Sequence, residues 1–590
     1  MKKILLSIIL FALCAPKVKA DEGMWLPIFI ERLQNVDLEK MGLKLSPEEI
    51  YSVNNSSLKD AIVSFNGYCT GEVISKNGLL LTNHHCGFDA IQNHSTVEND
   101  LLENGFWAQN MSEELSNPGF YVDFLVKIED VTSSIIDETV IGASDLNSRN
   151  EAIRNNITKI KTSQDLSGTE WVEVKSFFGG NEYYLFIYER FNDVRMVGAP
   201  PSSIGKYGGD TDNWMWPRHT GDFALFRVYM SPDGSGSEYS EENIPLKPKH
   251  HLPISLNGVE KEDFTMVFGY PGGTQRYLSS FGVKQALEKY NPTFVEIRTD
   301  VLDVLNKYMS EDAEIKIKYA SKKARVSNYW KYFIGQSKGL KALDVYGKKV
   351  RQEQAFTDYV NSTEKNMELY GNVLSDMESA YKMLDEIVIP QVAIFEGGWR
   401  AADAISFSRS ADPLVKALES EDGEAIEAAI VSLREKANEF FKEYDQEVDQ
   451  KLFAAGMSAY YSISPKEYVP EVISGAMEKY KCSPKWAKKT YKKSIFVNKE
   501  RLMSFLESPS VKKIKNDPIY KVQSGILDFY FNVLSPINNE AESKLMNAER
   551  LLIKALREMY PDGDFYSDAN FTMRMTYGTV NSYIAADAVT

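Results

Sequence analysis

From about Ser64 to Tyr277 the apolar residues come in short runs broken by Gly, Pro and Asn. Val73-Ile74 and Leu79-Leu80-Leu81 flank Asn77-Gly78, two residues that tolerate positive φ, so the stretch predicts a tight hairpin. WVEVKSFF and YYLFIYER flank Gly179-Gly180-Asn181 in the same way. Phe223 to Tyr229 and Phe264 to Phe268 read as further strands, the second stopped by Tyr270-Pro271-Gly272-Gly273. Short strands with this punctuation predict an antiparallel barrel or sandwich.

Past Tyr277 the period lengthens. Ile426, Ile430, Leu433, Ala437, Phe440, Tyr444, Val448 and Leu452 recur three or four apart, which lays one apolar stripe along a helix. Comparable patterns up to about Tyr560 predict a helical domain. The period then returns to two, with Phe571, Met573, Met575 and Tyr577 alternating with Thr572, Arg574 and Thr576. One such strand cannot close a barrel by itself, because its edge and apolar face need partners. Either it completes a sheet begun before Tyr277, or the chain lacks its C-terminal part.

At the start, Lys2 and Lys3 lead an apolar run from Ile4 to Ala15, and Ala20 closes the segment. This is the layout of a cleavable secretory signal and is short for a membrane span, a single-span anchor being the alternative. A periplasmic or extracellular protein is expected. Cys14 leaves with the signal; of Cys69, Cys86 and Cys482, the close pair Cys69 and Cys86 is the expected disulfide in an exported chain. Without the four lysines of the signal the balance is 63 basic against 83 acidic residues, a net charge of −20. That argues against nucleic acid and anionic lipid as partners. No second apolar stretch is long enough to insert in a membrane, and the length allows at least two domains.

The segment LTNHHCGF sets two histidines beside a cysteine in a chain with six His and four Cys. Zinc is one reading, with His84, His85, Cys86, Asp89 and His94 as ligand types. Adjacent strand residues point to opposite faces, however, and neither C-x-x-C nor H-E-x-x-H spacing occurs. A buried, hydrogen-bonded histidine is a second reading. In the third, a histidine followed directly by a half-cystine at the end of an apolar strand resembles the base segment of chymotrypsin-like serine peptidases. On that match His85 is the base, held by the bridge, and His84 points elsewhere. Asp222, after Gly221 at the start of an apolar strand, is the carboxylate that could orient the imidazole, although an aspartate there is by itself an ordinary turn former.

Longer segments carry a fuller resemblance. GYCTGEVISKNGLLLTNHHCGFDAIQNHSTVENDLLENGFWA, VGAPPSSIGKYGGDTDNWMWPRHTGDFALFRVY, VFGYPGGTQRY, the opening DEGMWLP and the late MTYGTV resemble the bacterial serine dipeptidyl-peptidases of the dipeptidyl-peptidase 7 and 11 family. The likeness runs over essentially the whole mature chain. It implies an α+β protein: a chymotrypsin-like antiparallel double β-barrel, the second barrel incomplete, with a large inserted α-helical domain. The expected division is 1–20 signal peptide, 21–277 first part of the peptidase domain, 278–565 helical insertion and 566–590 returning segment.

Carried over by position, the family's base falls on His85 and its orienting carboxylate on Asp222. Its grip on the substrate's free amino terminus falls on Asn213 and Trp214, in DTDNW, and on Asn328, in RVSNYW. An enzyme that removes dipeptides must hold an ammonium at a fixed distance from the nucleophile, and amide oxygens can accept its hydrogen bonds. Without the resemblance these residues read as turn or helix-surface amides and a packed tryptophan.

The family's nucleophile lies in a Gly-Asn-Ser-Gly-Ser-Pro segment that does not occur here. Ser235 and Ser237, in a polar loop, and Ser524, in a helical stretch, lack the surroundings of a nucleophile, and no G-x-S-x-G exists. The same segment carries the oxyanion-hole amides and the determinant of the first specificity pocket. The expectation is a serine dipeptidyl-peptidase releasing dipeptides from peptides with a free N-terminus, represented by a chain that is inactive alone. A non-catalytic peptide-binding relative is the competing reading. No cofactor and no metal are expected; the family implies a possible homodimer and either an acidic or a hydrophobic second substrate residue.

Overall fold

The computed structural model describes residues 23–32 and 38–582, so the expected signal segment 1–20 lies outside the described residues. The protein is α+β, with antiparallel strands up to Gly269, helices from Ser280 to Met559 and a further strand at Arg574–Thr579. The larger sheet contains β1 (Ile62–Phe65), β2 (Cys69–Val73), β3 (Leu79–Thr82), β4 (Phe106–Trp107), β5 (Leu115–Ser116), β6 (Val122–Asp130), β7 (Glu170–Phe177), β8 (Glu182–Phe191), β9 (Asp193–Ala199), β10 (Ala224–Met230) and β11 (Ile244–Pro245). Its strands pair in the order β4-β9-β10-β3-β2-β1-β6-β8-β7, with β5 on β9 and β11 on β10. Val63, Phe65, Val73, Leu80, Phe226 and Val228 bury one face of it around Cys86.

The two hairpins read from the sequence are both present, with different turns. Between β7 and β8, Gly179 and Gly180 take φ of 66° and 89°, conformations that favour glycine. Between β2 and β3 the loop is longer than a two-residue turn: Ile74 N donates to Leu79 O at 2.8 Å across Ser75, Lys76, Asn77 and Gly78. The Ser75 hydroxyl accepts from Asn77 N and Leu79 N. Only Gly78 has positive φ, and a Cβ there would lie 2.8 Å from Val228 O, so close approach to β10 also requires the glycine.

The helices needed below are α1 (Phe88–Asn93), α2 (Gly209–Asp212), α3 (Asn291–Glu311), α4 (Ala313–Lys318), α5 (Ala320–Ala342), α6 (Val373–Ala393), α7 (Gly423–Glu443), α8 (Gln446–Ile463) and α9 (Ser535–Met559). The apolar stripe from Ile426 to Leu452, expected as one helix, is divided between α7 and α8. Tyr444 is extended (φ −91°, ψ 135°), and the Asp445 carboxylate caps α8 by accepting from Val448 N at 2.9 Å. The two halves serve different cores: Leu433 and Ala437 join the large helical core around α6 and α9, whereas Val448 and Leu452 pack on Val301 and Leu305 of α3. Among the described residues, no helix is long and apolar enough to cross a membrane.

The late strand has its partner. β12 (Phe264–Gly269) and β13 (Arg574–Thr579) pair antiparallel with Phe268 opposite Met575, so β13 completes a sheet begun before Tyr277. On the other side of β13, Trp25 and Met575 exchange two backbone hydrogen bonds of 2.8 Å. Met573, Met575 and Tyr577 are buried as period two predicts, but the period fails at its start: Phe571, with a positive φ of 60°, is 47% exposed and Thr572 is buried, because the strand begins only at Arg574. Arg574 is buried as well, because the carbonyls of Met24, Ser567 and Asp568 accept its guanidinium. Burial pushes that group down to about 10.

Candidate active site

Cys69, at the start of β2, is disulfide-bonded to Cys86, just beyond β3, with their Cα atoms 6.1 Å apart. Cys86 is buried in the sheet core, so the turn carrying the two histidines is anchored from below. Backbone bonds from Cys86 N and Gly87 N to Asn83 O tighten it, and α1 begins directly afterwards. The bridge also takes up both sulfurs of the Cys69, His85, Cys86 trio, which would otherwise have the donor types of a metal site.

The adjacent imidazoles diverge. His84 is 1% exposed, with its ring edge-on to Phe88 and its Nε2 without a hydrogen-bond partner. Burial pushes it down to about 4, so it is neutral at physiological pH. The His85 side chain is 68% exposed.

Asp222 precedes β10, whose pairing of Ala224 with Thr82 of β3 carries it to the His85 turn. Asp222 Oδ2 lies 2.8 Å from His85 Nδ1, and Oδ1 accepts from His85 N at 3.0 Å. Asn83 Nδ2 donates to the Asp222 carbonyl at 3.1 Å, a contact between residues 139 positions apart that no motif announces. Burial works to raise the Asp222 carboxyl, but hydrogen bonds from His85 and its charge outweigh it and hold the group below its ordinary value. A carboxylate that grips Nδ1 leaves Nε2 to exchange protons with a reactant.

Among the described residues, no serine hydroxyl is hydrogen-bonded to His85. Ser235 bonds Asp233, Ser237 bonds Asn243 and Ser524 bonds the Lys521 carbonyl.

The other three sequence-derived residues also converge, although Asn328 is more than a hundred positions from the other two. Asn213 Nδ2 donates to Asn328 Oδ1 at 3.0 Å, and Trp214 N donates to Asn213 Oδ1 at 3.1 Å. Trp214 Nε1 donates to both Asn328 O and Asn328 Oδ1, each at 3.1 Å. The Trp214 ring packs on Tyr332 of α5 with centroids 5.1 Å apart, and its backbone has a positive φ of 59°. Asn328 Oδ1 is taken up by two donors within the cluster, which leaves Asn213 Oδ1, with one bond, as the amide oxygen able to accept from a small ammonium beside the half-exposed Trp214 ring.

The model of the family described as Peptidase S46 matches residues 20–590, and the chain belongs to that family. It is 41% identical over 593 residues to the Asp/Glu-specific dipeptidyl-peptidase of Flavobacterium psychrophilum, covering 100% of this chain and 82% of that one. It is 36% identical over 588 residues to dipeptidyl-peptidase 7 of Capnocytophaga gingivalis, covering 99% and 81%. The crystal structure of Porphyromonas endodontalis DPP11 in complex with the dipeptide Arg-Glu superposes with a TM-score of 0.86 at 32% identity, covering 96% of this chain and 82% of that one.

Proposed function

We propose that the protein is a serine-type dipeptidyl-peptidase that releases dipeptides from the free N-terminus of peptides. The observation that carries this reading is the 2.8 Å contact between His85 Nδ1 and Asp222 Oδ2, with His85 N bound to the same carboxylate. In this mechanism His85 Nε2 removes the proton from a serine hydroxyl, and the oxygen attacks the carbonyl of the second substrate residue. The proton passes to the leaving amine, and water then hydrolyses the acyl-enzyme with His85 again as base. Asp222 orients the ring and stabilises the imidazolium. In this reading the serine is none of Ser235, Ser237 and Ser524, whose hydroxyls bond Asp233, Asn243 and the Lys521 carbonyl.

Asn213, Trp214 and Asn328 hold the substrate ammonium, which fixes how many residues reach the catalytic centre. In this reading residues 21–277 and 566–590 belong to a chymotrypsin-like double barrel, interrupted by a helical domain at 278–565, and residues 1–20 direct export. The Cys69–Cys86 disulfide supports an oxidising destination. Two Asp/Glu-specific relatives at 41% and 40% identity favour an acidic second substrate residue, while two further Asp/Glu-specific relatives at 37% and 33% stand level with or below the 36% to 37% of the relatives named dipeptidyl-peptidase 7.

The test is to express the protein from its complete gene and incubate it with peptides bearing Asp, Glu, Leu or Phe second, with free and acetylated N-termini. Mass spectrometry should find successive dipeptides from the free, acidic peptides only. Binding without cleavage would favour the peptide-binding alternative.

A further inference from the structure

The helix that bears Asn328 is fastened to the elements on either side of the site. At the break between α4 and α5, where Tyr319 leaves the helical conformation (φ −103°, ψ 7°), two backbone groups are met by a side chain of α1. Gln92 Oε1 accepts from Ser321 N at 2.6 Å, and Gln92 Nε2 donates to Lys318 O at 3.3 Å. Gln92 is 4% exposed and seven positions after His85. Farther along α5, Ser327, 2% exposed and adjacent to Asn328, donates through its hydroxyl to Asp210 Oδ1 at 3.0 Å. Asp210 lies on α2, which Asn213 directly follows, and Lys206 Nζ approaches the same carboxylate at 3.4 Å. An exposed ion pair, Arg325 to Asp89 at 3.1 Å, adds a third link between α5 and α1.

These links are unequal. The Arg325–Asp89 pair is open to solvent and contributes little. The Gln92 bond to Ser321 N is buried, so its loss leaves a backbone donor without a partner, whereas loss of the part-buried Ser327 bond leaves Asp210 to Lys206 and removes the side-chain tie between α5 and α2; either change lets α5 move relative to the site. Successive residues of an extended peptide are about 3.4 Å apart. A shift of about half that distance between the amide cluster and His85 would blur the difference between a two-residue and a three-residue fragment.

Building on the function proposed above, we propose that Gln92 and Ser327 are positioning residues that set the spacing between His85 and the Asn213–Trp214–Asn328 cluster, and so the length of the released fragment.

The experiment uses the protein expressed from its complete gene with the variants Gln92→Ala, Ser327→Ala and Asp210→Asn. Three quantities are read: kcat and KM on a dipeptidyl-coumarin substrate, fragment length from a ten-residue peptide, and turnover of p-nitrophenyl acetate, an activated ester with no amino terminus. Gln92→Ala and Ser327→Ala should lower kcat/KM about ten- to a hundredfold and release tripeptides beside dipeptides, with ester turnover unchanged. Asp210→Asn keeps the acceptor oxygen and should retain dipeptide release. Wild-type values for both alanine variants, or an equal fall on the ester and the dipeptidyl substrate, would overturn the positioning role. A wild-type protein that turns over the ester but releases no dipeptides would overturn the proposed function, and this inference with it.

Discussion

The buried neighbour of the proposed base offers a sharp physical test. Replacing His84 with asparagine removes a ring that is neutral in the fold. Burial depresses its pKa from 6.5 to about 4. Between those values the unfolded chain holds a proton on His84 that the folded protein does not, so wild-type stability falls as pH is lowered through the window. The full gap corresponds to about 3 kcal/mol, of which about 2 kcal/mol is lost between pH 7 and pH 5. Burial raises other carboxyls, among them Glu72 and Glu549 to about 7 and Asp449 to about 6. They act in the opposite direction, favouring the fold as pH falls, but they are common to both proteins and cancel in the difference. Urea unfolding of wild type and His84→Asn at pH 7, 6 and 5 should therefore converge toward acid by about 2 kcal/mol, and in ¹⁵N-histidine spectra His84 should stay neutral at pH 5. A stability difference independent of pH, or a His84 resonance titrating near 6.5, would refute the assignment.

The remaining predictions concern packing, the bridge, a helix cap and the amide cluster. A Cβ at Gly205 would lie 2.3 Å from His84 Cδ2, so Gly205→Ala should cost about 1–3 kcal/mol in a thermal melt; an unchanged melt contradicts the packing. Cys69→Ser with Cys86→Ser opens a bridge of sequence separation 17 and should remove about 3 kcal/mol, read by urea titration. Asp445→Ala should cost about 1 kcal/mol at the α7–α8 junction, seen as faster backbone amide exchange at the start of α8. Asn328→Ala should raise KM for free-amine peptides at least about tenfold while leaving p-nitrophenyl acetate turnover unchanged.

What could be read in advance depended on how local the cause was. The disulfide is legible because two cysteines 17 positions apart flank a strand hairpin; the two-residue period of the late strand shows that it needs a partner but not which one, since pairing between β12 and β13 spans about three hundred positions. The α7–α8 break was hidden because a capping aspartate ends one helix and starts another without disturbing the apolar spacing. The β2–β3 loop differs from the expected two-residue turn: the Ser75 hydroxyl, which accepts from Asn77 N and Leu79 N, carries a four-residue loop, and Gly78 is needed for its close approach to β10. Asp222 acquired meaning only through resemblance, since an aspartate before a strand is ordinary until register places it against His85. Gln92, Asp210 and Ser327 gave no signal: each is a common polar residue whose partner lies on an element remote in sequence.

The most direct test of the His85–Asp222 pair is the rate of dipeptide release by Asp222→Asn, in protein expressed from the complete gene, on a substrate with an acidic second residue. An amide in place of Oδ2 presents a donor or a weaker acceptor to Nδ1 and disfavours the tautomer with Nε2 free. kcat should fall about 10⁴-fold with KM little changed and the fold intact by circular dichroism. A variant within about tenfold of wild type would mean that the carboxylate 2.8 Å from the imidazole does not orient a catalytic base.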